Sequence, residues 1–254
     1  MSNLTGMWTL AQREISRFLR VWQQTIIPPI ITSTLFILIF GYSLGSRIKM
    51  VGGIGYLEFI IPGLLMMGVI MSAYMNTSSS LFISKFQKNI QEVLVSPLAY
   101  WQVIAALTLA AVLRALLVGI GILIVSFLFA NLVVGNIFIL LYFIIMVSII
   151  FAFAGIATAL WATSFDKMNV FATFLITPLT YLGGVFFSVQ MLPPMWQNFA
   201  KFNPILYMVD GFRYGFIGTS DVNIWYSVIL VFLLVVGFGA LCVHLFKIGY
   251  KLRD

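Results

Sequence analysis

Residues 136–160 read NIFILLYFIIMVSIIFAFAGIATAL and carry no charged side chain. A helix needs about 20 mostly apolar residues to cross a bilayer core. The run is apolar throughout, whereas the strands of a membrane barrel alternate apolar with polar positions, so it reads as a spanning helix. Working outward, the interval from Arg114 to Asp166 is long enough for two spans, with Asn131, Gly135 and Asn136 marking a turn inside it. Further charge-free windows run from Arg20 to Arg47, Glu58 to Lys85, Lys167 to Lys201 and Asp221 to Lys247. The predicted fold is an all-α membrane protein with six transmembrane helices, near 24–45, 57–80, 103–129, 136–160, 170–189 and 223–246.

Composition agrees, with 62% hydrophobic and 8% charged residues against roughly 25% charged in an ordinary soluble domain. All six tryptophans (Trp8, Trp22, Trp101, Trp161, Trp196 and Trp225) fall at span edges, in the N-terminal segment or in a loop, where interfacial anchoring places them. With the N-terminus inside, the cytosolic side holds Arg13, Arg17, Arg20, Lys85, Lys88, Lys167, Lys247, Lys251 and Arg253, and the outer side only Arg47, Lys49, Lys201 and Arg213. The positive-inside rule then puts both termini in the cytosol. That bias accounts for the net charge of +7 without a nucleic-acid partner. Cys242 is the single cysteine, so no disulfide within the chain is available.

Residues 1–23 precede the first span. Leu4, Trp8, Ala11, Ile15, Leu19 and Trp22 recur at helical spacing, with Arg13, Arg17 and Arg20 largely on other faces. This predicts an amphipathic helix lying in the cytosolic interface near anionic lipid headgroups; a short cytosolic helix without lipid contact is the alternative. Pro28-Pro29 marks a bend into span one. Between spans two and three, Phe82, Ile83, Phe86, Ile90, Val93 and Leu94 form an apolar stripe with Lys85, Lys88 and Glu92 off it, predicting an amphipathic helix over 82–96 that Pro97 ends. The connection 190–222 is rich in aromatics and broken at Pro193-Pro194 and Asn203-Pro204. Short re-entrant helices before the last span would satisfy its backbone, with Asp210 and Arg213 three apart and able to pair. It reads equally as an outer gate or as a folded cap with a structural ion pair.

No catalytic constellation is present. His244 is the lone histidine, without the further ligands a metal site needs, and no GxxxxGK[ST] run occurs, so the chain is not its own P-loop ATPase. Arg114 is the one charge well inside a span. It is satisfied by helix carbonyls or faces a substrate path; no carboxylate lies at its depth. No intramembrane relay of Asp, Glu or His is predicted within the spans, which disfavours an ion-driven carrier. In span five, Thr173, Thr177, Thr180, Gly184 and Ser188 recur at spacings of three and four; that face either packs helices closely or lines a conduit at a dimer axis.

FQKNIQEVLVSP (86–97), TPLTYLGGVFF (177–187) and NPILYMVDGFR (203–213), in this order on a six-span chain, resemble the permease subunits of type-2 ABC exporters, a family that includes bacterial drug-resistance, nodulation-factor and polysaccharide export permeases. The resemblance covers essentially the whole chain, although the loop around Gln91 is less glycine-rich and acidic than in many members. It implies a permease that pairs with a second copy or a relative in the bacterial inner membrane, and a separate cytosolic ATP-binding-cassette subunit that binds ATP and Mg. The chain itself would hold no cofactor and would not be an enzyme. Phe82, Lys85, Phe86, Lys88, Ile90, Glu92 and Leu94 would dock on that ATPase, flanked by the helix bearing Trp8, Arg13, Arg17 and Arg20. Asn203, Pro204, Asp210 and Arg213 would belong to the outer gate. The implied function is ATP-driven export of an amphipathic, lipid-linked or drug-like substrate; a non-transporting scaffold subunit and an ion-coupled carrier are the competing readings.

Overall fold

The computed structural model describes residues 4–43, 45, 50–51, 53–130, 132 and 134–251. Asn131, Arg47, Lys49 and Arg253, used above for the turn and the charge asymmetry, lie outside the described residues. Six helical segments are long and apolar enough to cross a membrane: Trp22–Gly41, Tyr56–Phe86, Tyr100–Ser126, Ile137–Trp161, Phe165–Val185 and Ile224–Lys247. The only strands among the described residues are Met50–Val51 and Ile54–Gly55, a small antiparallel hairpin beside the second span.

The chain begins with α1 (Leu4–Arg20), packed on α6 (Tyr100–Ser126), and continues through the single turn α2 (Trp22–Thr25) into α3 (Ile27–Ser43). The bend falls where Pro28-Pro29 predicts it: prolines in the first turn of a helix cost nothing there but cannot continue the one before. α4 (Tyr56–Phe86) is the axis of the bundle, flanked by α7 (Ile137–Trp161), α6, α3 and α11 (Pro204–Ile217). Its inner position follows from small and hydroxylated residues. At Gly155 of α7, a Cβ would lie 2.2 Å from Thr77 Oγ1 of α4, so the two backbones meet as closely as they do only because one side chain is missing. Thr77 itself donates to the Ala152 carbonyl at 2.8 Å.

α4 has 31 residues, about 46 Å at 1.5 Å per residue, well beyond a hydrocarbon core of about 30 Å. The helix predicted over 82–96 is therefore two pieces. Nothing between Ser80 and Phe86 breaks α4, so Phe82, Lys85 and Phe86 form its last turn. Lys88 then reverses the chain at φ 62°, and α5 (Ile90–Val95) follows.

Span five departs most from expectation. It starts as α8 (Phe165–Phe171), widens to a π turn over Ala172–Ile176, narrows to α9 (Thr177–Thr180), and widens again over Tyr181–Val185, where Gly184 at φ 76° ends it. The outer connection is helical as predicted, with α10 (Pro194–Lys201) and α11 each opening on a proline, before α12 (Ile224–Lys247). Proline suits the first helical position because that amide has no partner there. α3 and α12 are the least buried of the spans.

Candidate functional site

The α1/α5 end of the bundle gathers the predicted docking residues but sorts them. Phe82 and Ile90 are buried, 2% and 4% exposed, and Leu94 is half-buried. Phe82 stacks edge-on against Phe165 with centroids 4.7 Å apart. Lys85 points inward: its Nζ donates to the carbonyls of Leu160 (2.9 Å), Ala162 (3.1 Å) and Ala159 (3.4 Å). Ala159 and Leu160 belong to the last turn of α7 and Ala162 follows it, where helix carbonyls lack intrahelical partners, and a cation suits that end of the helix dipole. Lys251 adds a bond to the Trp161 carbonyl at 3.2 Å. The surface left is Phe86, Lys88, Gln91, Glu92 and Val95, with Phe86 70% and Val95 87% exposed. A cleft of about 450 Å³ separates it from α1, lined among others by Thr9, Arg13, Glu92 and Pro97.

In α1, Trp8, Arg13 and Arg20 are exposed, as are Leu4, Leu19 and Trp22 of the predicted stripe. Ala11 turns inward with Glu14 and Phe18. Arg17 departs from the expected headgroup position: its Nε donates to Glu14 Oε2 at 3.1 Å, and its Nη2 to the backbone oxygen (3.2 Å) and side-chain oxygen (3.3 Å) of Asn76 in α4. Ser80 donates to Glu14 Oε2 at 2.5 Å. Sequence reasoning missed Glu14, Asn76 and Ser80. The signal available was an i,i+3 acid–base pair on α1 and two polar residues one turn apart inside a spanning helix.

Arg114 is 8% exposed, and its Nη2 donates to the Thr25 carbonyl at 3.0 Å. In a continuous helix that oxygen would accept from the amide of residue 29, which in Pro29 does not exist. The arginine thus supplies a donor there from α6, while its buried Nε has no hydrogen-bond partner among the described residues.

The span-five stripe does not persist as one face. The spacing of three and four assumes 3.6 residues per turn, whereas the two π turns carry more. Thr173 is exposed, Thr177 half-buried, and Thr180 and Gly184 buried. Thr177 and Thr180 donate to the carbonyls of Ala172 and Ile176 in their own helix (2.9 and 2.7 Å). Ser188 lies past the helix end and donates to the Asp221 carboxylate at 2.7 and 2.8 Å.

At the opposite end, three of the four residues assigned to the outer segment, Asn203, Asp210 and Arg213, are clamps. Asn203 caps α11 through Ile205 N (3.0 Å), while its Nδ2 donates to the Leu179 carbonyl of span five (2.6 Å); Pro204 is the first residue of α11. Arg213, fully enclosed, donates to the carbonyls of Gly184 (2.5 Å) and Phe59 (3.2 Å), lies 3.8 Å from the Phe59 ring centroid, and pairs with Asp210 at 3.8 Å. Asp210 accepts from Ser220 Oγ (2.5 Å) and the amides of Asp221 (3.0 Å) and Val222 (3.1 Å). Burial raises its carboxyl above the ordinary range, and those hydrogen bonds with Arg213 pull it back. One arginine and one aspartate so join α11 to α4, to span five and to the turn before α12. Asp221, overlooked in the sequence, ties residues 188–189 to the same turn. A cavity of about 270 Å³ opens beside the pair, between the hairpin and residues 188–191. No group of histidine, cysteine and carboxylate side chains able to hold a metal occurs among the described residues.

Known proteins match this chain over most of its length. It is 43% identical over 253 residues to the inner membrane transport permease YadH of Escherichia coli (strain K12), covering 99% of this chain and 97% of that one. Nodulation protein J of Rhizobium leguminosarum bv. trifolii is 26% identical over 206 residues, 81% of this chain and 75% of its own length. Nodulation protein J of Rhizobium meliloti (strain 1021) is 25% identical over 209 residues, 80% and 74%. Residues 5–217, from the first turn of α1 to the last residue of α11 and so through both clamped ends, match the ABC-2 type transporter family. The chain belongs to the ABC-2 type transporter family, as a membrane-spanning permease.

Proposed function

We propose that this chain is the transmembrane subunit of an ATP-driven exporter in the bacterial inner membrane, working with a separate cytosolic ATP-binding-cassette subunit and a second permease copy. The observation that carries the reading is the similarity over nearly its full length to an inner membrane transport permease. In this reading both termini are cytosolic, and ATP and Mg are bound by the partner ATPase. Phe86, Lys88, Gln91, Glu92 and Val95, the exposed part of the α4–α5 turn, form the docking surface, with the cleft beside α1 receiving an edge of the ATPase. The exposed side of α1 rests on lipid headgroups through Trp8, Arg13 and Arg20. The clamped segment from Asn203 to Arg213 is the outer closure of the path, and the substrate is amphipathic, lipid-linked or drug-like.

The test is co-purification and transport in vesicles with the ATP-binding-cassette subunit supplied. Glu92→Arg, which reverses an exposed charge without touching the core, is expected to reduce ATPase recovery with the permease and abolish ATP-dependent efflux while membrane insertion stays normal. Unchanged recovery and efflux would remove the docking assignment. Efflux driven by an ion gradient without ATP would remove the exporter reading itself.

A further inference from the structure

Glu14 is 4% exposed, a costly position for a carboxylate unless it is paired and hydrogen-bonded. It is both. Ser80 donates to it at 2.5 Å and Arg17 at 3.1 Å, and Arg17 passes on to both oxygens of Asn76. Glu14 and Arg17 lie one turn apart on α1, and Asn76 and Ser80 one turn apart on α4, so neighbouring turns of one helix hook neighbouring turns of the other. Packing alone would not require this. Apolar side chains of similar volume commonly hold two helices as well as a buried ion pair does, and what the polar contact adds is a fixed register. The hook sits close to the docking end: Ser80 is six residues before Phe86, roughly 9 Å along the helix. Leu10, Arg13 and Glu14 of α1 also line a small hollow with Ile90 and Val93 of α5. α1 rests mainly on α6, whose Val103 and Leu107 line the same hollow, and the hook is its polar tie to α4.

We propose that Glu14 is a positioning residue for transport: together with Arg17 it locks α1 in register on α4, so that α1, the end of α4 and α5 shift as one body when force is applied at that end. The proposal rests on the ATP-driven reading above. What it adds is the residue pair that fixes the register of the N-terminal helix.

The experiment uses the full permease with its ATP-binding-cassette subunit in vesicles and reads substrate moved per ATP hydrolysed. Glu14→Gln keeps the shape and an acceptor for Ser80 but removes the charge that holds Arg17. It is expected to lower the transport-to-hydrolysis ratio by about tenfold, the scale of a lost buried charge-assisted contact, at unchanged complex yield. Adding Ser80→Ala to it is expected to cost little more, because the two act on one hook. A merely structural role would lower yield and melting temperature and leave the ratio alone. Against the chance that these variants fold poorly, Glu14→Cys with Ser80→Cys, in a Cys242→Ala background, is bridged by a short bifunctional thiol reagent. Bridging is expected to restore the ratio that the unbridged pair has lost. A wild-type ratio in Glu14→Gln, or a ratio that stays low after efficient bridging, overturns the proposal. Wild-type vesicles that move nothing with ATP would instead sink the exporter reading, and this role with it.

Discussion

In an uninterrupted helix the carbonyl of Thr25 would accept from the amide of residue 29, and Pro29 has none to give; Arg114 makes that bond from another helix, at 3.0 Å. An unsatisfied buried carbonyl costs about 1–3 kcal/mol, so Arg114→Leu should destabilise the detergent-solubilised protein by an amount in that range. In a Pro29→Ala background the backbone can make the bond itself, and the same substitution should cost clearly less. Equal losses in both backgrounds, measured by thermal unfolding, would show that Arg114 is held by something else. The partner was not legible in the sequence, because it depends on a donor that is missing 85 positions away rather than on a group that is present. Asp210 and Arg213 were legible as a pair from their spacing alone. That their remaining bonds reach Phe59, Gly184 and the 220–222 turn was not, since those are tertiary contacts to backbone atoms.

Of the left-handed residues that follow or end helices, two have opposite consequences. Gly184 closes span five at φ 76°, and a side chain there costs about 1–2 kcal/mol in backbone strain, before the added Cβ meets Leu206 Cδ1 at 3.0 Å. Gly184→Ala should therefore lower the melting temperature. Lys88 occupies the same region at φ 62° without being glycine, so Lys88→Gly should raise it, by up to about 1 kcal/mol of stability; a fall on Lys88→Gly would mean that its side chain makes a contact worth more than the strain. The breaks at Pro28, Pro194 and Pro204 could be read from the chain because proline acts locally. The π turns of span five could not: a face drawn from Thr173 to Ser188 presumes a constant 3.6 residues per turn, and no residue in that stretch announces the wider ones. Likewise nothing marked where α4 would stop, because Phe82, Lys85 and Phe86 suit a continuing helix as well as a new one.

For the molecule as a whole, charge-free intervals were enough to predict six apolar helices, because lipid tolerates few alternatives; their ends were less legible, since the second runs on to Phe86 and the fifth starts at Phe165. Their arrangement around α4 rests on which helices carry small residues, a pattern read only in part from sequence. α3 exposes Ile31, Leu35 and Ile39 along one side, and span five exposes Phe174, Leu175 and Leu182. If a second permease copy covers α3, Leu35→Cys in a Cys242→Ala background should give disulfide-linked dimers on mild oxidation, with Leu233→Cys on exposed α12 as the comparison site. Dimers from Leu233→Cys alone would place the interface on α12 instead. The length of α4 has a geometric consequence. Phe59, gripped by Arg213, and Phe86, exposed at the far end, are 27 residues apart on one helix, about 40 Å. If that shaft pivots as a rigid piece by about 5° around the Arg213 grip, its far tip sweeps roughly 3–4 Å, a lever ratio set by rise per residue alone. A rearrangement too small to open anything at the fulcrum becomes, at the other end, a stroke the size of a side chain.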